Sequence, residues 1–237
     1  MQRRARPLLG TLVEIGASTG IDAGFTAIAE LQAQLSRFES GSDIARFNAM
    51  PVGGKLRIGA LAVRALTVAR QLQIESGGIF DVSLGSGSEA WHLDGDCIYK
   101  FNDAVTLDLG GIAKGLAVDV AVEALQNRGV TAGWVNAGGD LRVFGDIEVP
   151  ILVRDEAHGG AREFARLRDG AFATSHYGPG SRSVPSRPVQ AHVSVAAPLC
   201  LWADALTKIV ALSGGADHPL LARFDALAWR HDALRPV

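Results

Sequence analysis

The chain of 237 residues is 48% hydrophobic and 20% charged, a balance typical of a globular protein and not of a disordered one. Its formal net charge of −2 excludes an overall electrostatic attraction to nucleic acid or to anionic membranes. We expect one domain over residues 1–237, long enough to bury a core without disulfides. The two cysteines, Cys97 and Cys200, are distant in sequence and have no neighbouring cysteine, so we predict reduced thiols and no zinc site.

The N-terminal segment carries three arginines, Arg3, Arg4 and Arg6, which we interpret as a solvated tail. The apolar run that follows is interrupted by Gly10, Thr11 and Glu14 and therefore does not resemble a signal peptide. It favours a strand over residues 10–17. No uncharged, glycine-free stretch reaches 18 residues, so we predict no membrane span and a cytoplasmic location.

Three helices are predicted in the first part of the chain. Apolar residues at spacings of three and four predict an amphipathic helix over 22–38, with Phe25 and Phe38 near its ends. A polar turn then leads to a short helix capped by Ser42 or Asp43. Residues 60–75 form the third, which ends at the glycines 77–78, and one of its faces is predicted to carry Leu61, Ala65, Leu66, Ala69 and Leu72.

Strands dominate the later part. Residues 86–104 have little periodicity and are predicted to be a loop; a strand then ends at Asp108 and a helix spans 112–128. Because long helices come early and strands late, with no regular alternation, we predict an α+β fold with a mixed or antiparallel sheet packed against several helices. The remaining elements are strands at 132–137, 141–144, 149–154, 163–167 and 171–174, a Gly/Pro/Ser/Arg loop at 178–190, a strand at 192–198, a helix at 202–213 and a last strand at 226–232.

The segment DLGGIAKG, residues 108–115, places an acid, a glycine pair and a lysine at the start of a helix. Glycines allow backbone N–H groups to approach an anion, and Lys114 adds a full positive charge to that of the helix N-terminus. The segment, with Asp108, Gly110 and Gly111, is therefore a candidate diphosphate site. A tight turn is the alternative, and the spacing fits neither the P-loop nor the dinucleotide motif.

Three other segments combine polar side chains with glycines or a strand end. In NAGGD, Asn136, Gly138, Gly139 and Asp140 form either a hairpin turn or a close approach to a ligand. Asp81 follows an apolar pair in a glycine-rich loop, which either binds a ligand or only connects elements. Polar residues also cluster after the strand at 171–174, and their histidine is either a ligand contact or simply exposed: Thr174, Ser175, His176 and Tyr177.

The segment WADALTKIV places Asp204 in the predicted first turn of a helix, with Thr207 three and Lys208 four residues later on the same face. An acid with a hydroxyl one turn away can hold Mg²⁺, which prefers oxygen ligands and substrate phosphates. An Asp–Lys pair that only stabilises the helix is the alternative.

Taken in order, these segments resemble the FAD:protein FMN transferase family of ApbE-like flavin transferases, over roughly residues 8–215. DLGGIAKG followed by AVD, and then NAGGD, are the most specific of them. The resemblance implies an α+β fold, FAD as substrate and Mg²⁺ at its diphosphate. The implied reaction moves FMN from FAD to a Thr or Ser hydroxyl of an acceptor protein and releases AMP; some members hydrolyse FAD instead.

The resemblance also implies roles for individual residues. The carbonyl of Ala113, with Asp204 and Thr207, would bind the metal. Asp204, Lys208 and His176 are the catalytic candidates. The cofactor-binding candidates are Asp81, Asp108, Gly110, Gly111, Lys114, Asn136, Gly138, Gly139, Asp140, Thr174 and Ser175.

The sequence departs from the family pattern at three places. Lys208 stands where the family has a metal-binding threonine, and its ammonium group either replaces the ion or repels it. The family's His-Ile-Ile-Asp-Pro-like segment before the VSV strand is absent, and His176 or His192 could substitute for its histidine. The connection before DLGGIAKG is short. These departures favour a second hypothesis, a flavin-binding homologue without transferase activity; many members of the family are also exported, which is an alternative to the cytoplasm.

Overall fold

The protein folds around a large antiparallel sheet covered by helices on one face. A computed structural model describes residues 1–154, 159–177 and 189–231, so most of the loop expected at 178–190 lies outside the described residues. The seven-stranded sheet has the order β1-β2-β6-β7-β8-β9-β10, and all its neighbouring strands are antiparallel. Its strands are β1 (Gln2–Leu8), β2 (Thr11–Ala17), β6 (Gly133–Ala137), β7 (Asp140–Arg154), β8 (Ala161–Tyr177), β9 (Ala191–Ala197) and β10 (Leu227–Arg230).

A smaller antiparallel sheet has the order β3-β5-β4. Its strands are β3 (Lys55–Arg57), β4 (Trp91–Asp94) and β5 (Cys97–Lys100), and the helices are α1 (Ile21–Leu35), α2 (Asp43–Ala49), α3 (Ala60–Glu75), α4 (Ala113–Gln126), α5 (Cys200–Ser213) and α6 (Pro219–Arg223). The α+β prediction is confirmed, and the sheets are antiparallel and not mixed. No helix in the described ranges combines the length and apolar character needed to cross a membrane.

The main core lies between the helices and one face of the large sheet. α1 packs on α4, α4 on α5, and α5 on β8 and β9. On the opposite face, a smaller buried cluster comprises Leu141, Val143, Ile151, Val153 and Phe172. Side chains alternate between the two faces of a strand, so the position of a residue in β8 decides which of the two clusters it faces.

The arginine-rich N-terminus forms a strand, and its interpretation as a solvated tail is wrong. β1 pairs with β2 along its whole length. Its arginines form ion pairs with acids that lie beyond the local sequence: Arg3 with Glu14, and Arg4 and Arg6 with Asp22. The basic residues are exposed, as expected, but backbone pairing to β2 orders the segment.

The region 86–104, predicted to be a loop, contains the β4–β5 hairpin, which pairs with β3. The strand predicted before Asp108 is absent from both sheets, although Val105, Leu107 and Leu109 are buried in alternation. The side chain of Asn48 takes the place of a partner strand: it accepts the N–H of Leu107 at 2.7 Å and donates to its carbonyl at 3.0 Å. The alternating pattern therefore predicted the burial of these residues correctly but wrongly predicted that they pair with a neighbouring strand.

Several predicted boundaries differ from the observed ones. α1 ends at Leu35, and Phe38 is exposed beyond it. Leu61 is only partly buried at the edge of the core, whereas the other four residues of the predicted α3 face are fully buried. The strands predicted at 141–144 and 149–154 are one strand, β7, and those at 163–167 and 171–174 are one strand, β8. Both cysteines are free thiols, as predicted.

Candidate functional site

The crossing of α4 and α5 brings the lysine segment and the WADALTKIV segment into contact. A Cβ atom added at Gly115 would lie 2.3 Å from the carbonyl oxygen of Cys200 and 2.7 Å from Cβ of Asp204, so only glycine allows this approach. The Oδ2 atom of Asp204 accepts the backbone N–H of Gly115 at 3.0 Å. α5 begins at Cys200, so Asp204 lies in the second turn and not in the predicted first turn, and it is fully buried.

Lys208 and Thr207 lie on the same side of α5 as Asp204, as their spacing predicts. The ammonium group of Lys208 pairs with Oδ1 of Asp204 and donates to its backbone carbonyl at 3.0 Å. The hydroxyl of Thr207 donates to the same carbonyl at 2.7 Å and lies 2.8 Å from the hydroxyl of Ser175 on β8. The acid is thus surrounded by donors from α4 and from its own helix.

A second pair, Lys114 with Asp140, lies beside the first. The Lys114 ammonium contacts Oδ2 of Asp140, the first residue of β7, which is buried. Burial alone would lower the pKa of Lys114, but the carboxylates of Asp140 and Asp204 outweigh it and keep the pKa above its ordinary value. Burial, followed by the charge of Asp204, raises the pKa of Asp140 to about 6, although Lys114 and Lys208 oppose the increase.

The two lysines are on the solvent side of this cluster. The side chains of Lys114 and Lys208 are 32% and 13% exposed, whereas those of Asp140 and Asp204 are 1% and 0% exposed. The carboxylates therefore hold the ammonium groups from the interior of the protein. A ligand that approaches from solvent would meet positive charge first.

The predicted glycine pair borders the same cluster. A Cβ at Gly111 would lie 3.6 Å from Cε of Lys208, so the lysine stem runs along this glycine. Asp108 accepts the N–H of Gly110 at 2.8 Å and shapes the turn that leads into α4, and Arg37 lies 3.5 Å from its other oxygen. The segment 108–115 thus joins Lys114, Lys208 and a helix N-terminus at one place.

The loop that contains Asp81 adjoins that turn. The N–H of Asp108 donates to the carbonyl of Val82 at 2.8 Å. The carboxylate of Asp81 accepts the N–H and hydroxyl of Ser83 and the N–H of Gly85, all within 2.9 Å. In this structure Asp81 therefore organises its own loop.

The NAGGD segment forms the β6–β7 hairpin turn, one of the two predicted alternatives. Gly138 and Gly139 both have positive φ, and Oδ1 of Asn136 accepts the N–H of Gly139 at 2.9 Å. A Cβ at Gly138 would lie 2.5 Å from Oγ1 of Thr11. The turn carries the chain directly to Asp140 and so positions that acid opposite Lys114.

The strand β8 separates residues that are adjacent in the sequence. Ser175 and Tyr177 face the helices, where the hydroxyl of Ser175 contacts Thr207. Thr174 and His176 point to the opposite face of the sheet: Thr174 is 2.8 Å from Ser194, and the His176 ring lies 5.7 Å from that of His192. His176 therefore does not lie with its fellow catalytic candidates, Asp204 and Lys208.

The structure adds one buried acid, Asp119, to the predicted residues, and it places Tyr177 of the predicted polar cluster in the core. Asp119 on α4 pairs with Arg142 at 2.8 Å and accepts the N–H groups of Cys200 and Leu201 at the start of α5. Tyr177 is buried near Asp204, and burial, followed by the charge of that acid, raises its pKa. The signal for Asp119 was available, since a lone acid within the apolar run of a buried helix needs a charged partner.

The residues expected to bind a metal already have protein partners. Both oxygens of Asp204 and the hydroxyl of Thr207 form the hydrogen bonds described above. Ala113, the third expected ligand, is the first residue of α4. No group of three or more His, Cys, Asp or Glu in the described part of the chain is arranged to hold a metal ion. Two acids are matched by two lysines, so the donor set as it stands does not fit Mg²⁺.

Solved structures of similar fold include proteins of Pseudomonas stutzeri, Vibrio cholerae and Thermotoga maritima. Flavinyl transferase ApbE of Pseudomonas stutzeri in its apo form has a TM-score of 0.79 and 23% identity, covering 97% of this chain and 90% of that one. Flavin transferase ApbE of Vibrio cholerae has a TM-score of 0.80 and 20% identity, and the ApbE protein of Thermotoga maritima 0.80 and 23%; each match covers 97% of this chain and 93% of the other. At these identities the likeness establishes the fold.

Sequence comparison gives the family. A curated FAD:protein FMN transferase of Rhodobacter capsulatus is 30% identical over 128 residues, an alignment that covers 41% of this chain and 24% of the relative. The chain thus spans about a quarter of the length of that relative. The profile of the ApbE family matches residues 9–103 and 93–178, which together cover more than half of the sequence and include the lysine segment and the NAGGD turn. The chain belongs to the ApbE family.

Proposed function

We propose that this chain is a flavin transferase, which takes FAD and moves its FMN part to a Thr or Ser hydroxyl of an acceptor protein. The observation that supports the proposal best is the pair of lysines held on buried acids at the start of α4, beside Gly110 and Gly111. This arrangement offers a diphosphate two ammonium groups and a helix N-terminus within one small region. The name of the Rhodobacter capsulatus relative supports FAD as the substrate.

The proposed reaction breaks the P–O bond between the FMN phosphorus and the oxygen that leaves with AMP. The acceptor oxygen forms the new bond to this phosphorus, and its proton passes through a base to solvent as AMP departs. Transfer of this kind depends on positioning and on neutralisation of negative charge more than on covalent help from the protein. Lys114 and Lys208 supply that neutralisation, and Asp140 and Asp204 fix their positions.

A second candidate function is FAD binding without transfer. It is favoured by the position of His176, which lies on the opposite face of the sheet from Asp204 and Lys208. Transfer requires a base that accepts the proton of the acceptor hydroxyl, and His176 is not positioned beside the lysines to act as that base. The two functions share the FAD site and differ in turnover.

The test is to incubate the purified protein with FAD and follow flavin fluorescence together with the release of AMP. FAD binding accompanied by AMP release supports the transferase, and FAD binding without AMP release supports the second candidate. Failure to bind FAD contradicts both. The double variant Lys114→Met/Lys208→Met should lose binding, whereas Lys55→Met, which removes an exposed lysine of β3, should keep it.

A further inference from the structure

The side chain of Lys208 is fixed in one position by the protein itself. Its ammonium group is held by the carboxylate and by the backbone carbonyl of Asp204, the latter at 3.0 Å. Its stem passes 3.6 Å from the Cβ position of Gly111. A lysine held in this way loses little freedom when it meets an anion, so the charge is preorganised.

The electrostatic balance of the cluster is complete without a metal ion. Asp204 and Asp140 contribute two negative charges, and Lys208 and Lys114 contribute two positive ones. The charges act on each other, since both Asp204 and Lys208 influence the pKa of Asp140. A divalent cation placed here would lie next to two ammonium groups and would have to displace one of them from its carboxylate.

The oxygen donors of the region are also occupied. The Oδ2 atom of Asp204 accepts the N–H of Gly115, and Oδ1 holds Lys208. The hydroxyl of Thr207 donates its proton to the carbonyl of Asp204 and contacts Ser175. A hard cation requires several such oxygens at once.

We propose that the ammonium group of Lys208 replaces a divalent metal ion at the diphosphate of FAD, so that this chain binds FAD without metal. The inference rests on the proposed function, because it concerns the same site. It assigns Asp204 the role of a positioning residue for Lys208 and not that of a metal ligand.

The first experiment is to titrate the wild-type protein with FAD, following flavin fluorescence, once with excess EDTA and once with excess MgCl₂. We expect the same Kd in both. A Kd that Mg²⁺ lowers tenfold or more would overturn the inference and leave the proposed function intact. Absence of FAD binding under both conditions would overturn the proposed function, and the inference with it.

Three variants sharpen the test, with circular dichroism to establish that each is folded. Lys208→Met should weaken FAD binding about 10- to 100-fold, the loss expected for one charged hydrogen bond, and Mg²⁺ should not restore it. Lys208→Thr removes the ammonium group and supplies an oxygen, so Mg²⁺ should restore part of its affinity. Lys55→Met is the matched control and should bind FAD like the wild type.

A direct metal measurement needs no FAD and no turnover. The paramagnetic resonance signal of free Mn²⁺ should stay unchanged when wild-type protein is added and should decrease with Lys208→Thr, in which Oδ1 of Asp204 is released. Loss of the signal with the wild-type protein would overturn the inference. Should Lys208→Thr fail to fold, the wild-type measurements with Mn²⁺ and with EDTA still decide the question.

Discussion

The carboxylate of Asp119 on α4 accepts the backbone N–H of Cys200, the first residue of α5, at 3.0 Å and across 81 positions of sequence. Its other oxygen accepts the N–H of Leu201 at 2.8 Å. One buried acid thus caps a neighbouring helix and also pairs with Arg142 at 2.8 Å. Since α5 carries Asp204 and Lys208, this cap sets where both residues stand relative to α4.

Replacement of Asp119 should therefore be costly. Asp119→Ala leaves two N–H groups of α5 unsatisfied and Arg142 unpaired at 16% side-chain exposure, and we expect a loss of about 3–5 kcal/mol in the free energy of unfolding. Urea denaturation followed by circular dichroism measures it. Asp96→Ala, which removes an exposed pair with Arg57, is the control and should behave like the wild type. Equal stability of the two variants would contradict the capping role.

The close contact of α4 and α5 at Gly115 gives a second prediction. Gly115→Ala places a methyl group against the carbonyl of Cys200 and the side chain of Asp204, and should lower the free energy of unfolding by about 1–3 kcal/mol. FAD affinity should fall as well, because the helices must move apart. Gly41→Ala adds a methyl group where no heavy atom lies within 4 Å and should change neither quantity. Loss of stability with unchanged FAD affinity would show that the crossing does not set the site.

The hydroxyl pair of Ser175 and Thr207 links β8 to α5 at 2.8 Å. Thr207→Val and Ser175→Ala should each cost about 0.5–1.5 kcal/mol, the net value of one hydrogen bond, since Thr207 keeps its bond to the Asp204 carbonyl and Ser175 keeps Tyr177 as a partner. The double variant should lose less than the sum of the single losses, because both single variants remove the same hydrogen bond. Strict additivity in urea denaturation would mean that the two hydroxyls do not interact in solution.

The two thiols should differ sharply in reactivity. Cys200 is fully buried, and burial, followed by the charges of Asp140 and its acidic neighbours, raises the pKa of its thiol well above the ordinary value. Cys97 is partly exposed on β5. Iodoacetamide at about pH 8 should alkylate Cys97 and leave Cys200 unmodified, as read by peptide mass spectrometry. Modification of Cys200 in the folded protein would contradict its burial.

The Lys114–Asp140 pair gives a prediction about pH. The pKa of Asp140 is about 6 in the folded protein, above the ordinary value of 3.8, so its contribution to stability decreases as pH rises to about 6 and is then constant. Lys114→Met removes the charge that opposes this increase, and the pKa of Asp140 rises further. Above pH 6 the variant should therefore continue to lose stability, by at most about 1.4 kcal/mol per pH unit, while the wild type does not.

Urea denaturation of both proteins at several pH values between 5 and 8 measures this difference. The difference in the free energy of unfolding between the wild type and the less stable Lys114→Met should increase as pH increases. Lys55→Met, an exposed lysine, should show no such trend. A difference in the free energy of unfolding that is the same at every pH would mean that the pKa of Asp140 does not depend on Lys114.

The sequence by itself determined the α+β class and the helical spacing that aligns Asp204 with Lys208, and it offered the NAGGD turn as one of two alternatives. Each of these depends on a local period or on the conformational freedom of glycine, which act over a few residues. Only the tertiary structure decided that Lys114 pairs with Asp140 and that Asp119 caps α5, because these contacts join residues 26 and 81 positions apart. It also placed Ser175 and His176 on opposite faces, since β8 continues through both residues and neighbouring side chains of a strand point in opposite directions.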